Sequence, residues 1–151
     1  MNNREVIRGR QRARKYLVQA LYQWHMNTSD AIDIQAQFLT VNDPQKFDSE
    51  YFSQLLKGIT QNSNHLDEKI SECLDRPINM LNPVELAVLR LSTYEFMHCL
   101  DIPFKVVIDE AIALCKTYGA IEGHRYVNGV LHQLATKLRA IEVQHLSLIH
   151  I

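Results

Sequence analysis

Apolar residues recur along this chain at helical rather than strand spacing, and one stretch, 82–100, is apolar nearly all the way round. Val84, Leu86, Ala87, Val88, Leu89, Leu91, Tyr94, Phe96, Met97 and Leu100 cover almost the whole circumference of a helix, which requires that other elements wrap it. Asn82 suits the N-cap, Pro83 the first turn, and Glu85 the third position of a capping box. Glu85, Arg90, Glu95 and His98 interrupt the stretch, and no run of about 18 uncharged apolar residues occurs in the chain, so the pattern predicts a buried central helix and not a membrane span.

The other segments show single stripes. Leu17, Ala20, Leu21 and Trp24 stand at i, i+3, i+4 and i+7 and predict a first helix over about 8–25. A second helix follows over about 30–39, then a loop through Asn42, Asp43 and Pro44. Asp48 can cap a third helix whose apolar face is Phe52, Leu55, Leu56 and Ile59. Asn64, with Asp67 three residues on, can cap a fourth carrying Leu66, Ile70, Cys73 and Leu74, ended by Pro77. After the central helix, Phe104, Val107, Ile108, Ala111, Cys115 and Tyr118 form the face of another, closed by Gly119. A last helix over about 124–140 buries Val127, Leu131, Leu134 and Leu138, with Ile141 on the same side. The apolar tail beyond His145 follows no cap signal. The fold class is all-α: a basic N-terminal arm over 1–9, an N-terminal bundle over about 10–62, a C-terminal bundle over about 63–142, and a tail over 143–151.

Composition agrees with this. Five Gly and four Pro in 151 residues are too few for the turns of a sandwich or barrel of short strands. Cys73, Cys99 and Cys115 are widely spaced and each lies within an apolar helical pattern, as expected of reduced core thiols in a cytoplasmic protein. The N-terminus has arginines but no apolar stretch of the signal-peptide kind.

The charge is uneven. The net charge is −1, yet residues 1–15 hold Arg4, Arg8, Arg10, Arg12, Arg14 and Lys15 against Glu5 alone, a local +5 that leaves −6 for the remainder. A basic arm on a mildly acidic body suits a polyanion binder with a separate protein-facing surface; a solvated, disordered tail is the plainer alternative. Cations on the opening turns of a helix oppose its dipole, which makes more sense if an anion binds there.

Most catalytic chemistry lacks its motif. Neither G-x-G-x-x-G nor G-x-x-x-x-G-K-[ST] is present. The cysteines lack C-x-x-C spacing, and no H-x-x-x-H or H-E-x-x-H pair occurs, so neither a metal nor another cofactor is expected. Asp109 and Glu110 point about 100° apart on a helix, a poor acid/base pair, and read as surface acids. The block 119–129 is more informative. Gly119 and Gly123 bracket a loop that delivers His124, Arg125, Tyr126 and Asn128 to the start of the last helix. Amides, a guanidinium and a ring together suit single-stranded nucleic acid. The alternative is structural: Tyr126 as a core aromatic and Gly129 as a close helix contact.

The segments RQRARKYLVQALYQW at 10–24, YFSQLLKGI at 51–59, VELAVLRLSTYEF at 84–96, IPFKVVIDEAIALCKTYG at 102–119 and HRYVNGVLHQLA at 124–135 together resemble the NusB family of bacterial transcription antitermination factors over nearly the whole chain. The resemblance implies two helical bundles and a non-enzymatic role. The family binds the boxA element of nascent ribosomal RNA together with NusE, the small-subunit ribosomal protein, and joins elongating RNA polymerase with other Nus factors. Carried over residue by residue, RNA contact falls on Arg10, Arg12 and Arg14 and on Arg125, Tyr126 and Asn128. Gln11 departs from the basic residue common there, and Arg8 can replace that contact. Glu85 and Glu95 are the expected partners for the basic NusE. Whether the free protein forms a homodimer is left open. An accessory domain of the kind that precedes the catalytic part of some ribosomal RNA methyltransferases is the other reading, disfavoured because nothing here could hold the methyl donor and the chain ends about where the helical domain does.

Overall fold

The computed structural model describes residues 2–27, 29–119 and 122–149. Among them the chain forms α1 (Asn3–Met26), α2 (Ala31–Val41), α3 (Ser49–Gln61), α4 (Ser63–Ser71), α5 (Pro83–His98), α6 (Phe104–Tyr118), α7 (Gly123–Leu138) and α8 (Ala140–Ile149), with single 3-10 turns at Pro44–Lys46 and Ile78–Met80 and no strand. None of these helices is long and apolar enough to cross a membrane. The chain divides into two compact units, Met1–Asn62 and Ser63–Ile151.

In the first unit α1, α2 and α3 pack against one another. Leu17, Leu21, Ile34, Phe52, Leu56 and Ile59 are all but sealed from solvent. Phe47 and Phe52 stand edge to face at 6.0 Å, and Tyr16 meets Phe47 at 4.8 Å. The basic arm is not a tail, because α1 already begins at Asn3. The cause is local: Asn2 Oδ1 accepts the Glu5 N–H at 2.8 Å, and Glu5 complements the positive end of the dipole. Arg10 and Arg14 therefore lie well inside the helix rather than on its opening turns.

The second unit wraps α5 with α4, α6 and α7. Every residue from Glu85 to Thr93 is buried, and so are Glu95 and Phe96. Asn82 Oδ1 accepts the Val84 N–H at 2.8 Å, as a cap should. Arg90 is fixed by a two-pronged pair with Asp67, Nε to Oδ1 and Nη2 to Oδ2 both at 2.8 Å. The helix stops at His98, so Leu100 lies outside it and is 69% exposed. The fourth helix starts at Ser63, which places Asn64 inside the first turn instead of at the cap, and it ends at Ser71, before Cys73 and Leu74. Gly119 closes α6 in extended backbone (φ −90°) rather than a left-handed turn.

The break after α7 corrects the expected burial of Ile141, which is 85% exposed. Arg139 ends α7 and turns its side chain inward, where it is 6% exposed. Its Nε donates to the Phe96 carbonyl (2.7 Å), Nη1 to the Ile102 carbonyl (3.0 Å), and Nη2 to those of Glu95 (3.2 Å) and Cys99 (3.1 Å). One guanidinium thus supplies donors to the Phe96 carbonyl in the last turn of α5 and to the Ile102 carbonyl beyond it, and adds a second donor to the carbonyls of Glu95 and Cys99, which already accept backbone N–H groups. Glu142 pairs with Arg139 at 2.7 Å and accepts the Phe104 N–H, also at 2.7 Å, at the start of α6. The tail that had no cap signal continues as α8 to Ile149, and its last two positions, 150–151, lie outside the described residues.

Candidate nucleic-acid interface

The arginines of α1 face two ways. Arg8 and Arg12, one turn apart, are exposed and line a concavity of about 680 Å³ with Glu5, Gly9 and the Pro44–Lys46 turn. Arg12 Nη1 donates to the Lys46 carbonyl at 2.9 Å. Arg10 and Arg14 lie about 200° around the helix from them. Arg10 is stacked 4.1 Å from the centre of the Tyr51 ring, with Nε 3.8 Å from Asp48 Oδ2. Arg14 is 4% exposed and 5.9 Å from the same ring. An RNA phosphate can therefore reach Arg8 and Arg12 but not Arg14 as it stands. The sequence held the signal, since Arg10, Arg14, Leu17 and Leu21 follow one another at i, i+4, i+7 and i+11 and so extend the buried stripe.

The late block also divides. Ala120 and Ile121 of its loop lie outside the described residues. Arg125 and Asn128 are exposed and line a groove of about 780 Å³ along α6 and α7. Arg125 pairs only loosely with Glu122, at 3.2 Å with both side chains more than two-thirds exposed, an arrangement of little energetic worth. Tyr126 looks elsewhere. Its hydroxyl donates to Asp75 Oδ1 at 2.9 Å, and the Arg76 guanidinium lies 4.2 Å over its ring. Arg76 Nε also donates to Asp75 Oδ1, at 2.8 Å. These bonds from Arg76 and Tyr126 hold the Asp75 carboxyl below the ordinary carboxylate range. Burial, with Asp75 as acceptor, raises the Tyr126 hydroxyl. The ring is half-buried, a platform already topped by a guanidinium, and no local pattern pointed to Arg76. Gly129 is no close contact, as a side chain there would meet open space.

Glu85 and Glu95 are not the surface acids that the chain's acidic body suggested. Glu95 is 1% exposed and Glu85 9%. The Glu85 carboxylate lies against the α-carbon of Gly123, so close that a side chain at Gly123 would collide with its Oε1. A side chain at Gly123 would require the Glu85 carboxylate to shift. Burial raises the Glu85 pKa, while Arg76 pulls it down. The cysteines are free thiols; burial raises Cys73 and pushes Cys115 up to about 12. No group of three or more His, Cys, Asp or Glu among the described residues is placed to hold a metal ion.

Comparison with known proteins gives this geometry a context. The NusB family model matches residues 11–136. The transcription antitermination protein NusB of Legionella pneumophila (strain Corby) is 50% identical over 140 residues, which is 93% of this chain and 95% of the relative. Among solved structures, T. maritima NusB superposes with a TM-score of 0.74 at 32% identity, covering 83% of this chain and 89% of that one. A structure of the antitermination factors NusB and NusE in complex with dsRNA superposes with a TM-score of 0.77 at 22% identity, covering 86% and 98%, and is a likeness of fold. A family match across most of the chain, joined to a relative half identical over nearly its full length, leaves one conclusion: this chain belongs to the NusB family.

Proposed function

We propose that the chain is a transcription antitermination factor that binds boxA-type single-stranded RNA of nascent ribosomal RNA together with NusE, and that the complex acts as an adaptor to elongating RNA polymerase with other Nus factors. Its role is regulatory and non-catalytic, and its setting is the cytoplasm. The name of the Legionella relative supports the antitermination role, and the NusB and NusE complex with dsRNA supports the choice of partners.

The observation that carries the reading is the exposed pair Arg8 and Arg12 on a helix whose geometry the fold has already fixed. Arg10 and Arg14 support that face from within by packing on Tyr51. On the second unit, Arg125 and Asn128 offer a donor set, and Tyr126 capped by Arg76 offers a stack that a base can extend. NusE contact is not drawn through Glu85 or Glu95, since both are enclosed by the second unit.

A filter-binding titration with boxA-like RNA, with and without NusE, tests this. Replacing Arg8 and Arg12 with Ala should weaken binding to all RNA sequences and reduce the salt slope by about 1.4, at about 0.7 per phosphate contact. Tyr126→Ala should lose about ten- to a hundredfold in affinity, the range that loss of one stacked base implies, whereas Tyr126→Phe should keep most of it. A wild-type salt slope in the double variant, or no RNA binding by the wild type at low salt, would overturn the reading.

A further inference from the structure

Arg125 and Asn128 mark only one edge of the groove along α6 and α7. Lys105, Asp109, Ile112, Ala113 and Lys116 stand at i, i+4, i+7, i+8 and i+11 on α6, a second stripe beside the one that faces the core. Across from it, α7 contributes His124, Arg125, Asn128 and His132. Lys105 and Lys116 are both exposed, and among the described residues neither has an ion pair. Asp109 is the one acid among the residues that line the groove. Ile112, half-buried, gives it an apolar floor.

We infer that this groove binds a stretch of single-stranded RNA backbone, with Lys105, Lys116 and Arg125 on phosphates and bases laid over Ile112. The inference rests on the RNA reading above and extends it to residues outside the arginine-rich start. The two lysines are eleven residues apart on one helix, about 16 Å at 1.5 Å per residue. That span matches roughly five nucleotides at the ~3.4 Å rise of a stacked strand. Cations at both ends of an apolar floor suit a chain whose charges repeat along its length while its bases present apolar faces. Asp109, between the lysines, would repel a phosphate but can accept a hydrogen bond from a 2′-hydroxyl or a base amine. Asn128 supplies the amide that can do the same from α7. An acidic protein segment would satisfy the lysines, but it would set its carboxylates beside Asp109 and has less use for the floor.

The test compares the wild type with a Lys105→Ala/Lys116→Ala variant and an Arg8→Ala/Arg12→Ala variant, each titrated with boxA-like RNA and with the same RNA shortened from either end. The groove variant should keep the wild-type melting temperature and lose about 1.4 from the salt slope, so that between about 50 and 200 mM salt its affinity falls about sevenfold less than the wild type's. It should also stop distinguishing the full RNA from one of the shortened forms. In the wild type, RNA should shift the Ile112 methyl resonance, a readout that needs no substitution. If the α1 variant weakens RNA binding while the groove variant keeps the wild-type slope and Ile112 does not move, the groove is overturned and the RNA reading stands. If the groove variant loses an acidic peptide but not RNA, the groove is a protein-docking site and the inference is likewise overturned. If the wild type binds no RNA, both fail together.

Discussion

In the first unit cations crowd together in the sequence and then part company in space, whereas in the second they are scattered in the sequence and converge in space. Residues 1–15 carry six of them, but helix geometry turns Arg10 and Arg14 toward Tyr51 and leaves Arg8 and Arg12 outside. Lys105, Lys116 and Arg125 are spread over two helices yet line one groove. Charge density along a chain therefore measures a binding surface poorly. What matters is which charges the fold has already buried against its own rings and carbonyls. Arg139 and Arg125 make the same point within one helix and its cap: the first is 4% exposed at its side chain and serves four carbonyls, the second is 77% exposed and serves a single loose pair.

The contrast breaks most visibly at Arg139. Arg139→Ala removes a donor from four backbone carbonyls around the end of α5, of which those of Glu95 and Cys99 keep a backbone N–H, and it leaves Glu142 without its cation. It should cost about 3–5 kcal/mol by chemical denaturation. Arg139→Lys should recover only part of this, since one ammonium cannot reproduce the planar fork. A loss under about 1 kcal/mol would show that water replaces the guanidinium, and that the buried and exposed arginines differ less than their surroundings suggest.

Arg14 sharpens the comparison inside α1. Arg14→Ala should destabilise the protein by about 1–3 kcal/mol, as expected for a buried polar side chain removed from its partners, while leaving the salt slope of RNA binding unchanged. The Arg8/Arg12 variant should do the reverse. If Arg14→Ala flattens the salt slope without loss of stability, the inward-facing arginines belong to the RNA surface after all.

The smallest effect concerns Glu85, whose pKa is raised above the ordinary value of 4.5. The folded state then binds its proton more tightly than the unfolded state. Its contribution to stability is present in full below about 4.5 and is lost as pH rises through the raised folded value. Glu85→Gln should thus match the wild type in acid and gain on it with rising pH, by less than about 1 kcal/mol, as read from paired denaturation curves. A variant that loses ground as pH rises would mean that Glu85 acts through a stabilising pair instead of against its own burial.

Much of the fold could be read locally. The apolar circumference of 84–97 required a wrapped helix, and α5 is one. Asp48 and Asn82 cap the helices they were expected to cap, because a cap is a bond to an amide only two or three residues away. The early start of α1 was missed although its cap at Asn2 is local, but most expectations failed where the decisive partner is distant. The turn at Arg139 depends on carbonyls 37 to 44 residues earlier, and it exposes Ile141, which the spacing alone had placed on the buried side. Tyr126 finds Asp75 across 51 residues, and Glu85 finds Gly123. Periodicity and bonds within one turn are properties of the linear chain, so the helices before α8, most of their starts and most of their apolar stripes were already settled there. Which charges are spent inside the fold and which remain to meet a ligand was settled only when the helices packed, because burial and electrostatics are set by neighbours in space.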